Sequence, residues 1–496
     1  MSIRHRGRQS ARSVVAAVLI GFLALIGIAV GPDAAAAGTG GPAATQSGTD
    51  KTYVIATDVT FAPFEFQNGQ GDFVGIDMDL LGAIAADQGF SYQVKPLGFN
   101  AAVQALQSRQ VDGVIAGMSI TDERKLVFDF SDPYFDSGVQ MAVAKNNDTV
   151  TSYEDLRGKR VAIKTGTEGA TFAESIKDQY GFTTVTFDDS ASMYDDVKTG
   201  NSVAVFDDYP VLLYGIAQGN GLETVTGKEA GNSYGFAVSK GQNAELLTKF
   251  NAGLANLRAS GEYDEILDRY LGEQPQAQGG NTFFSLLKDS FPLLMKGLWL
   301  TLVLTVVSLA IALVLGLIFG FFRVSTSRVL RGIGVTYVDI FRGTPLLVQA
   351  FFIYFGIPAA LDFQMPAMTA GIITLSLNAG AYITEIIRGG IQAVDKGQME
   401  AARSLGIGYL PAMRKVVLPQ AVRTMMPSFV NQAVITLKDT SILSVIGIAE
   451  LTQTGKIIIA RTFESFNMWL IVGIFYFVVI MALTKLSDRL EKRINT

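Results

Sequence analysis

The chain contains no cysteine. That absence excludes disulfides, thiol catalysis, Cys-ligated zinc and a lipid-modified N-terminal Cys. Histidine is nearly absent too. The single one, His5, lies in the N-terminal tail, so imidazole acid–base, triad and metal chemistry are excluded as well. No Walker A motif is present: Gly158-Lys159, Gly227-Lys228 and Gly455-Lys456 all lack the upstream Gly and the following Ser/Thr. ATP-driven work would have to draw on another subunit. With these tools missing, the chain reads as something other than an enzyme, with no metal site, no cofactor of its own and no nucleic-acid partner expected.

What is present divides sharply. Residues 50–272 hold 32 Asp+Glu against 17 Lys+Arg, while the remainder holds 13 acidic and 23 basic residues. An acidic soluble module has been joined to a basic, apolar one. Ahead of both, Arg4, Arg6, Arg8 and Arg12 precede the apolar run 14–31 and the small residues 33–37, which offer an A-x-A cleavage site. Residues 1–37 therefore read as an export signal, or as an uncleaved anchor given the length of the apolar run. Either reading places the acidic module outside the cytoplasm.

A Gly/Ser/Thr/Pro/Ala linker occupies 38–49. From 50 to 272, β-type runs such as "KTYVIATD" and "VDGVIAGM" alternate with helical patterns such as "GIDMDLLGAIAADQG". That alternation predicts an α/β domain. A second linker spans 273–282, and 283–496 forms the membrane half. Apolar windows near 298–322, 345–358, 368–387, 425–448 and 468–483 predict about five helical spans, the second extending back through "VTYVDIF" if Pro345 does not start it.

Basic residues fix the expected topology. Arg323, Arg328 and Arg331 separate the first two spans, six Lys/Arg against two acids lie in 388–424, and four basic residues come after Leu483. The positive-inside rule puts these segments and the C-terminus in the cytoplasm, which leaves the soluble domain outside. The loop 388–424 is too long for a mere connection. Within it "MEAARSL" is a strong helix former that stops at Gly406, and Pro411 suits the first turn of a second helix. Such a loop needs a partner to cover Leu405, Ile407, Tyr409 and Leu410. An amphipathic helix lying on anionic membrane lipid is the alternative.

That stretch, with Glu400-Ala401-Ala402, Gly406 and Pro419, resembles the signature loop of ABC importer permeases. "RGTPLLVQ", "NAGAYITEIIRGGI" and "LKDTSILSVIG" resemble the polar amino-acid branch of the same family. The resemblance implies a coupling helix docked on a separate ATPase subunit that carries ATP-Mg, and a homodimer of permease units. The soluble half independently resembles amino-acid-binding proteins, glutamine binders most closely, through "ATDVTFAPFEF", "VGIDMDLLGAIA", "GVIAGMSITDERKLVFDFSDPYF", "VAIKTGT" and "AVFDDYPVLLYG". Together the halves resemble a fused binding-protein and permease subunit: a two-lobed α/β periplasmic-binding-protein-like domain joined to an all-α transmembrane domain. A ligand-gated channel or amino-acid receptor on the same binding fold is the alternative, but no TVGYG-like filter segment exists here.

Free amino acids carry a carboxylate and an ammonium on one carbon, so a site must hold opposite charges close together. Arg124 follows "AGMSITDE" where a strand gives way to a helix, and a guanidinium there can grip a carboxylate bidentately. The resemblance assigns it that role beside Ser119, and assigns the ammonium to Asp208 with the Gly117 carbonyl. By the same resemblance Phe61 and Phe99 clamp the aliphatic stem, Lys164 and Asp58 face a side-chain amide, and Thr167 belongs to the same pocket. Two positions depart from the glutamine-binder pattern: Asp207 replaces a histidine and Glu168 a glycine. Glutamine is the expected ligand, with asparagine or glutamate next and a basic amino acid also open. In the membrane half, Asn378, Tyr382 and Glu385 share one helix face. They are candidates for the translocation path, or for a structural link between spans.

Overall fold

The computed structural model describes residues 51–272 and 282–495. The expected export segment 1–37, the linker 38–49 and the linker 273–282, apart from Thr282, lie outside the described residues.

The soluble half begins with β1 (Tyr53–Asp58), β2 (Thr60–Phe61), β3 (Glu65–Gln67), β4 (Phe73–Val74), β5 (Tyr92–Leu97), β6 (Gly113–Val114) and β7 (Phe128–Phe130). A second group comprises β8 (Phe135–Ala144), β9 (Arg160–Lys164), β10 (Thr183–Phe187), β11 (Ala204–Asp208), β12 (Leu222–Thr224) and β13 (Glu229–Tyr234). Then β14 (Ala237–Ser239) returns to the first group. One sheet runs β5-β1-β6-β14-β7 and the other β10-β9-β11-β8-β12, with β13 beside β8. Each sheet is the centre of one lobe, and the chain crosses between lobes at 130–135 and 234–237.

Helices pack on these sheets because the strands are apolar on both faces. β1 lies parallel to β5 and β6, and β9 parallel to β10 and β11. Parallel strands need cover on both sides, so "YVIATD" and "RVAIK" are buried almost end to end. Phe64, Ile76, Leu81 and Phe250 fill the first core, and Val161, Ile163 and Phe206 the second. Open α/β sheets place ligands outside the carboxyl ends of their parallel strands. Here those ends carry Asp58, Lys164 and Asp207-Asp208.

The membrane half is helical. Phe283–Val324, 42 residues long, starts well ahead of the expected 298 because "FFSLLKDSF" continues the helix from a Thr282 cap on Ser285 N. Ala367–Ala393 and Ser465–Lys485 are also long and apolar enough to span. Two further spans are broken. Arg328–Gly343 and Leu346–Leu361 meet at 104°, and Tyr409–Ile446 and Leu451–Thr462 at 49°. The five expected spans are thus three continuous helices, with two bent pairs that complete the five if each counts once. Pro345 stands at the first break, where its ring disfavours helix in the preceding residue. Gly447, at φ +81°, ends the 3-10 stretch Thr440–Ile446 at the second.

Candidate functional site

A narrow cavity lies between the lobes, walled by Phe61, Phe99, Gly117, Ser119, Arg124, Lys164, Thr167, Glu168 and Asp208, with Ala116 and Gly166. Nine of the eleven candidate residues therefore meet in one place. The exceptions are Asp58, which reaches the wall only through Lys164, and Asp207.

Arg124 sits in the short helix Asp122–Lys125, behind a Thr121 cap. Its Nη1 donates to Ser119 O at 2.9 Å and its Nη2 to Gly166 O of the other lobe at 2.6 Å. The guanidinium also lies 5.3 Å from the Phe99 ring centre. Burial pulls its pKa down, while Glu168 and Asp208 push the other way. Held on carbonyls and an aromatic face, the fork keeps further N–H donors for a carboxylate.

Asp208 ends β11 and stands just ahead of the helix Tyr209–Ala217, to which its side chain makes no capping bond. Its Oδ2 accepts a short hydrogen bond from the Tyr234 hydroxyl, and its Oδ1 is buried without a partner among the described residues. Burial, helped by Asp207, pushes the carboxyl up to about 7. A buried acceptor of this kind is completed by a cationic donor.

Lys164 and Asp58, which the resemblance sets against a ligand amide as donor and acceptor, bind each other at 2.8 Å, with side chains only 1% and 2% exposed. Asp58 Oδ1 takes Thr60 N and Oγ1 at 3.0 and 2.8 Å. Burial alone would lower the Lys164 pKa, but contact with Asp58, with Asp207 and Glu65 nearby, turns the net shift upward. Lys164 enters the cavity wall already neutralised.

Asp207 was expected in the pocket and does not line it. Successive strand residues face opposite sides, so with Asp208 turned to the cleft Asp207 turns inward. Its Oδ2 accepts from the Tyr194 hydroxyl at 2.5 Å and its Oδ1 from Asp208 N at 2.9 Å. Glu168 does reach the wall, as the first residue of the helix Glu168–Tyr180 capped by Thr167. Its Oε1 accepts from Asn232 at 2.8 Å.

Sequence reasoning missed what lies beneath Gly117. This glycine has φ +51°, and an added Cβ would come within 2.5 Å of the Phe61 ring. Its N–H donates to Asp77 Oδ2 at 2.9 Å, which also accepts from the Tyr134 hydroxyl at 2.9 Å. Burial raises Asp77 to about 6 and, with Asp77 and Asp58 adding, raises the neighbouring Glu65 as well. The available signal was an acid on the apolar face of "GIDMDLL".

In the membrane half, Asn378 Nδ2 donates to Phe341 O at 3.1 Å and to Gln349 Oε1 at 3.2 Å. Arg342 lies 5.0 Å from the Tyr382 ring centre. Glu385 binds Arg323 at 2.9 Å and Arg388 at 2.8 Å, with Arg342 at 3.8 Å. This face thus ties helices together, and its carboxylate is compensated by three arginines. In the 388–424 segment, Lys396–Ser404 ends at Gly406 (φ +80°), and Tyr409–Ala412 starts a second helix with Pro411 in its first turn. Glu400 and Ala401 are exposed, Ala402 is buried, and Pro419 stands in the first turn of Leu418–Asp439. No group of three or more metal-ligating side chains occurs among the described residues.

These features define a class: a two-lobed amino-acid-type binding domain carried on a helical membrane domain. Residues 53–273 match the bacterial extracellular solute-binding proteins, family 3, and residues 312–496 the inner membrane component of binding-protein-dependent transport systems. The glutamine transport system permease protein GlnP of Escherichia coli (strain K12) is 40% identical over 43% of this chain and 97% of its own length. The arginine transport system permease protein ArtQ of Bacillus subtilis (strain 168) is 37% identical over 44% of this chain and 99% of its own. Among solved structures, substrate-binding domain 2 of Lactococcus lactis GlnP in its open conformation is 46% identical over 46% of this chain and 98% of that one, at a TM-score of 0.37. An ancestral arginine-binding protein bound to glutamine is 40% identical over 45% and 98%, at 0.42. The chain belongs to the amino-acid ABC importers, with solute-binding and permease domains fused in one polypeptide. Neither domain is an enzyme, and ATP hydrolysis belongs to a separate subunit.

Proposed function

We propose that this chain captures glutamine outside the cell and passes it through its own membrane domain, driven by a cytoplasmic ATPase pair. In this reading residues 50–272 are the binding domain and 283–496 the permease, two copies of the chain form one translocator, and 1–37 direct export. The charge distribution over the loops supports a binding domain outside and the 388–424 segment inside.

One observation carries the choice of cargo. The cavity opposes Arg124 to Asp208, while Lys164 is already neutralised by Asp58. Arg124 takes the ligand carboxylate, and Asp208 with the Gly117 carbonyl takes its ammonium. Phe61 and Phe99 cover the stem, and Lys164, its charge offset by Asp58 behind it, presents a donor to the carbonyl of a neutral side-chain amide. The glutamine permease relative favours the same cargo. Arginine is the second reading, because Glu168 adds a carboxylate to the wall and an arginine permease is nearly as similar.

Ligand closes the lobes, the closed domain engages the membrane helices, and ATP-driven closure of the ATPase pair moves the coupling segments. Calorimetry on the purified full chain against each of the twenty amino acids tests the cargo. Tight binding of glutamine alone is expected. Arginine binding would transfer the role to the second reading, and no binding by any amino acid would overturn both.

A further inference from the structure

The binding domain touches the membrane domain through both lobes, by different means. From the first lobe, Gln110, 1% exposed, gives Nε2 to Phe363 O at 2.9 Å and receives Met365 N on Oε1 at 2.8 Å. Arg109 adds an exposed bond to Asp362 at 3.1 Å. A side-chain amide that donates to one end of a three-residue segment and accepts from the other fixes position and direction together.

The second lobe is engaged by packing. Phe463 closes the helix Leu451–Thr462 at φ +55°, a left-handed conformation that disfavours bulky side chains, with its N–H on Ile459 O at 2.8 Å. That turn directs the ring into the second lobe's apolar cluster, 6.3 Å from the Tyr194 ring centre and 3.5 Å from where a Cβ on Gly215 would stand. In return Ala191, on the helix Ser190–Lys198, is buried in the permease cluster with Leu286 and Leu293. Each side inserts an apolar group into the core of the other.

Phe463 touches no residue of the amino-acid cavity, yet a short path leads from it to that site. Tyr194, 2% exposed, lies beside Phe463 with its ring tilted to it and donates its hydroxyl to Asp207 Oδ2 at 2.5 Å. Asp207 Oδ1 holds the amide of Asp208 at 2.9 Å, and Asp208 lines the cavity. One ring contact and two hydrogen bonds join the permease to the acceptor for the ligand's ammonium.

We propose that Phe463 is a docking plug that senses lobe closure: it fills its socket beside Tyr194 only when the second lobe is closed onto a first lobe anchored by Gln110. The permease sets the distance between the 362–365 segment and Phe463, so one interlobe angle satisfies both anchors. That angle is the one in which Lys164 reaches Asp58 across the cleft. Coupling is reciprocal. Docking strengthens the closed, ligand-holding state, and a permease movement that separates the two anchors pries the lobes apart and frees the amino acid. The inference rests on the importer reading and adds the residue through which occupancy is reported.

The test uses the full transporter with its ATPase subunit in lipid nanodiscs, and an equimolar mixture of the twenty amino acids as probe. Phe463→Ala is expected to lower amino-acid stimulation of ATP hydrolysis about fivefold or more. The affinity of the whole chain should weaken in the same direction, although the ring is remote from the cavity. Phe463→Leu, which keeps an apolar plug, should fall between the two and guards against a variant that merely misfolds. Gln110→Ala should reproduce the phenotype from the other lobe. Stimulation and affinity that stay at the parent's level in Phe463→Ala would overturn the plug while leaving the importer intact. A parent complex that answers no amino acid would overturn the importer reading, and the plug with it.

Discussion

Lys164 Nζ lies 2.8 Å from Asp58 Oδ2, and the two residues belong to different lobes, one ending β9 and the other β1. The pair is therefore a closure contact. Removing one partner of a buried ion pair costs about 3–5 kcal/mol, because the other charge is left stranded. Here the stranded charge can escape by opening the cleft. Lys164→Met should lower amino-acid affinity by about a hundredfold or more with only a small change in the melting temperature of the ligand-free chain. The double variant Asp58→Asn/Lys164→Met should recover part of the loss. Calorimetry paired with thermal denaturation separates the two effects. A melting temperature that falls in step with affinity would place the pair in the fold instead.

Arg124 is held within its own lobe by Ser119 O and the Phe99 ring, and across the closed cleft by Gly166 O. Arg124→Ala should cost roughly 2–5 kcal/mol, or about 30- to 5,000-fold in affinity. Arg124→Lys should rescue little, since a point charge cannot span both carbonyls and grip a carboxylate bidentately. Titration of both variants decides the matter. Parent-like affinity in Arg124→Ala would remove Arg124 from the carboxylate site.

The division into an acidic domain and a basic membrane domain was legible in the sequence, because charge and apolar windows change together near 272–283. The candidate pocket was legible where short motifs place a residue at a strand end, as with Arg124, Lys164 and Asp208. What escaped are contacts across long stretches of chain. Gly117 N finds Asp77 forty positions away and Tyr134 finds the same carboxylate from fifty-seven; the acid on the apolar face of "GIDMDLL" marks Asp77 as unusual but names neither partner. Asp207 is a different kind of miss. Strand alternation alone allows only one of two adjacent aspartates to face the cleft, and the "FDD" run carried that information. The bent spans also had local signals, Pro345 and Gly447, but their angles depend on neighbouring helices.

Asp208 makes a specific demand on pH. Its carboxyl is pushed up to about 7 by burial, with Asp207 adding, whereas an ammonium binds the ionised form. Below about pH 7 binding must therefore release a proton, and affinity should drop about tenfold per pH unit. Above that it should level off. Calorimetry at about pH 6 in two buffers of different ionisation enthalpy should count about one proton released. An affinity flat between about pH 5 and 8 would contradict the ammonium assignment.

The same raised carboxyls act on folding with the opposite slope. Asp77 sits near 6 when folded against an ordinary 3.8, so the folded chain keeps a proton that the unfolded chain has released. Its stabilisation is complete below the unfolded value and lost as pH rises through the folded one, a difference of about 3 kcal/mol. Asp77→Asn, which cannot titrate, should flatten the decline in ligand-free melting temperature between about pH 4 and 7. An unchanged slope would remove Asp77 as its source.

The 388–424 segment makes the last demand. Gly406 ends Lys396–Ser404 in the left-handed region, with its N–H on Arg403 O at 2.9 Å. Beside it Leu405 and Leu410 are 81% and 76% exposed. Helices that present large apolar side chains on a basic loop need a cover, and an ATPase groove and a lipid surface make different predictions. Gly406→Val should disturb the turn by about 1–2 kcal/mol and release the ATPase subunit during purification in mild detergent. Leu410→Glu keeps the turn but replaces the apolar contact with a charge, so it should release the subunit just as well. Amino-acid binding should survive in both. If Leu410→Glu retains the ATPase and full ligand-stimulated hydrolysis, the face rests on lipid. Coupling would then have to run through the exposed Glu400 side of the same helix.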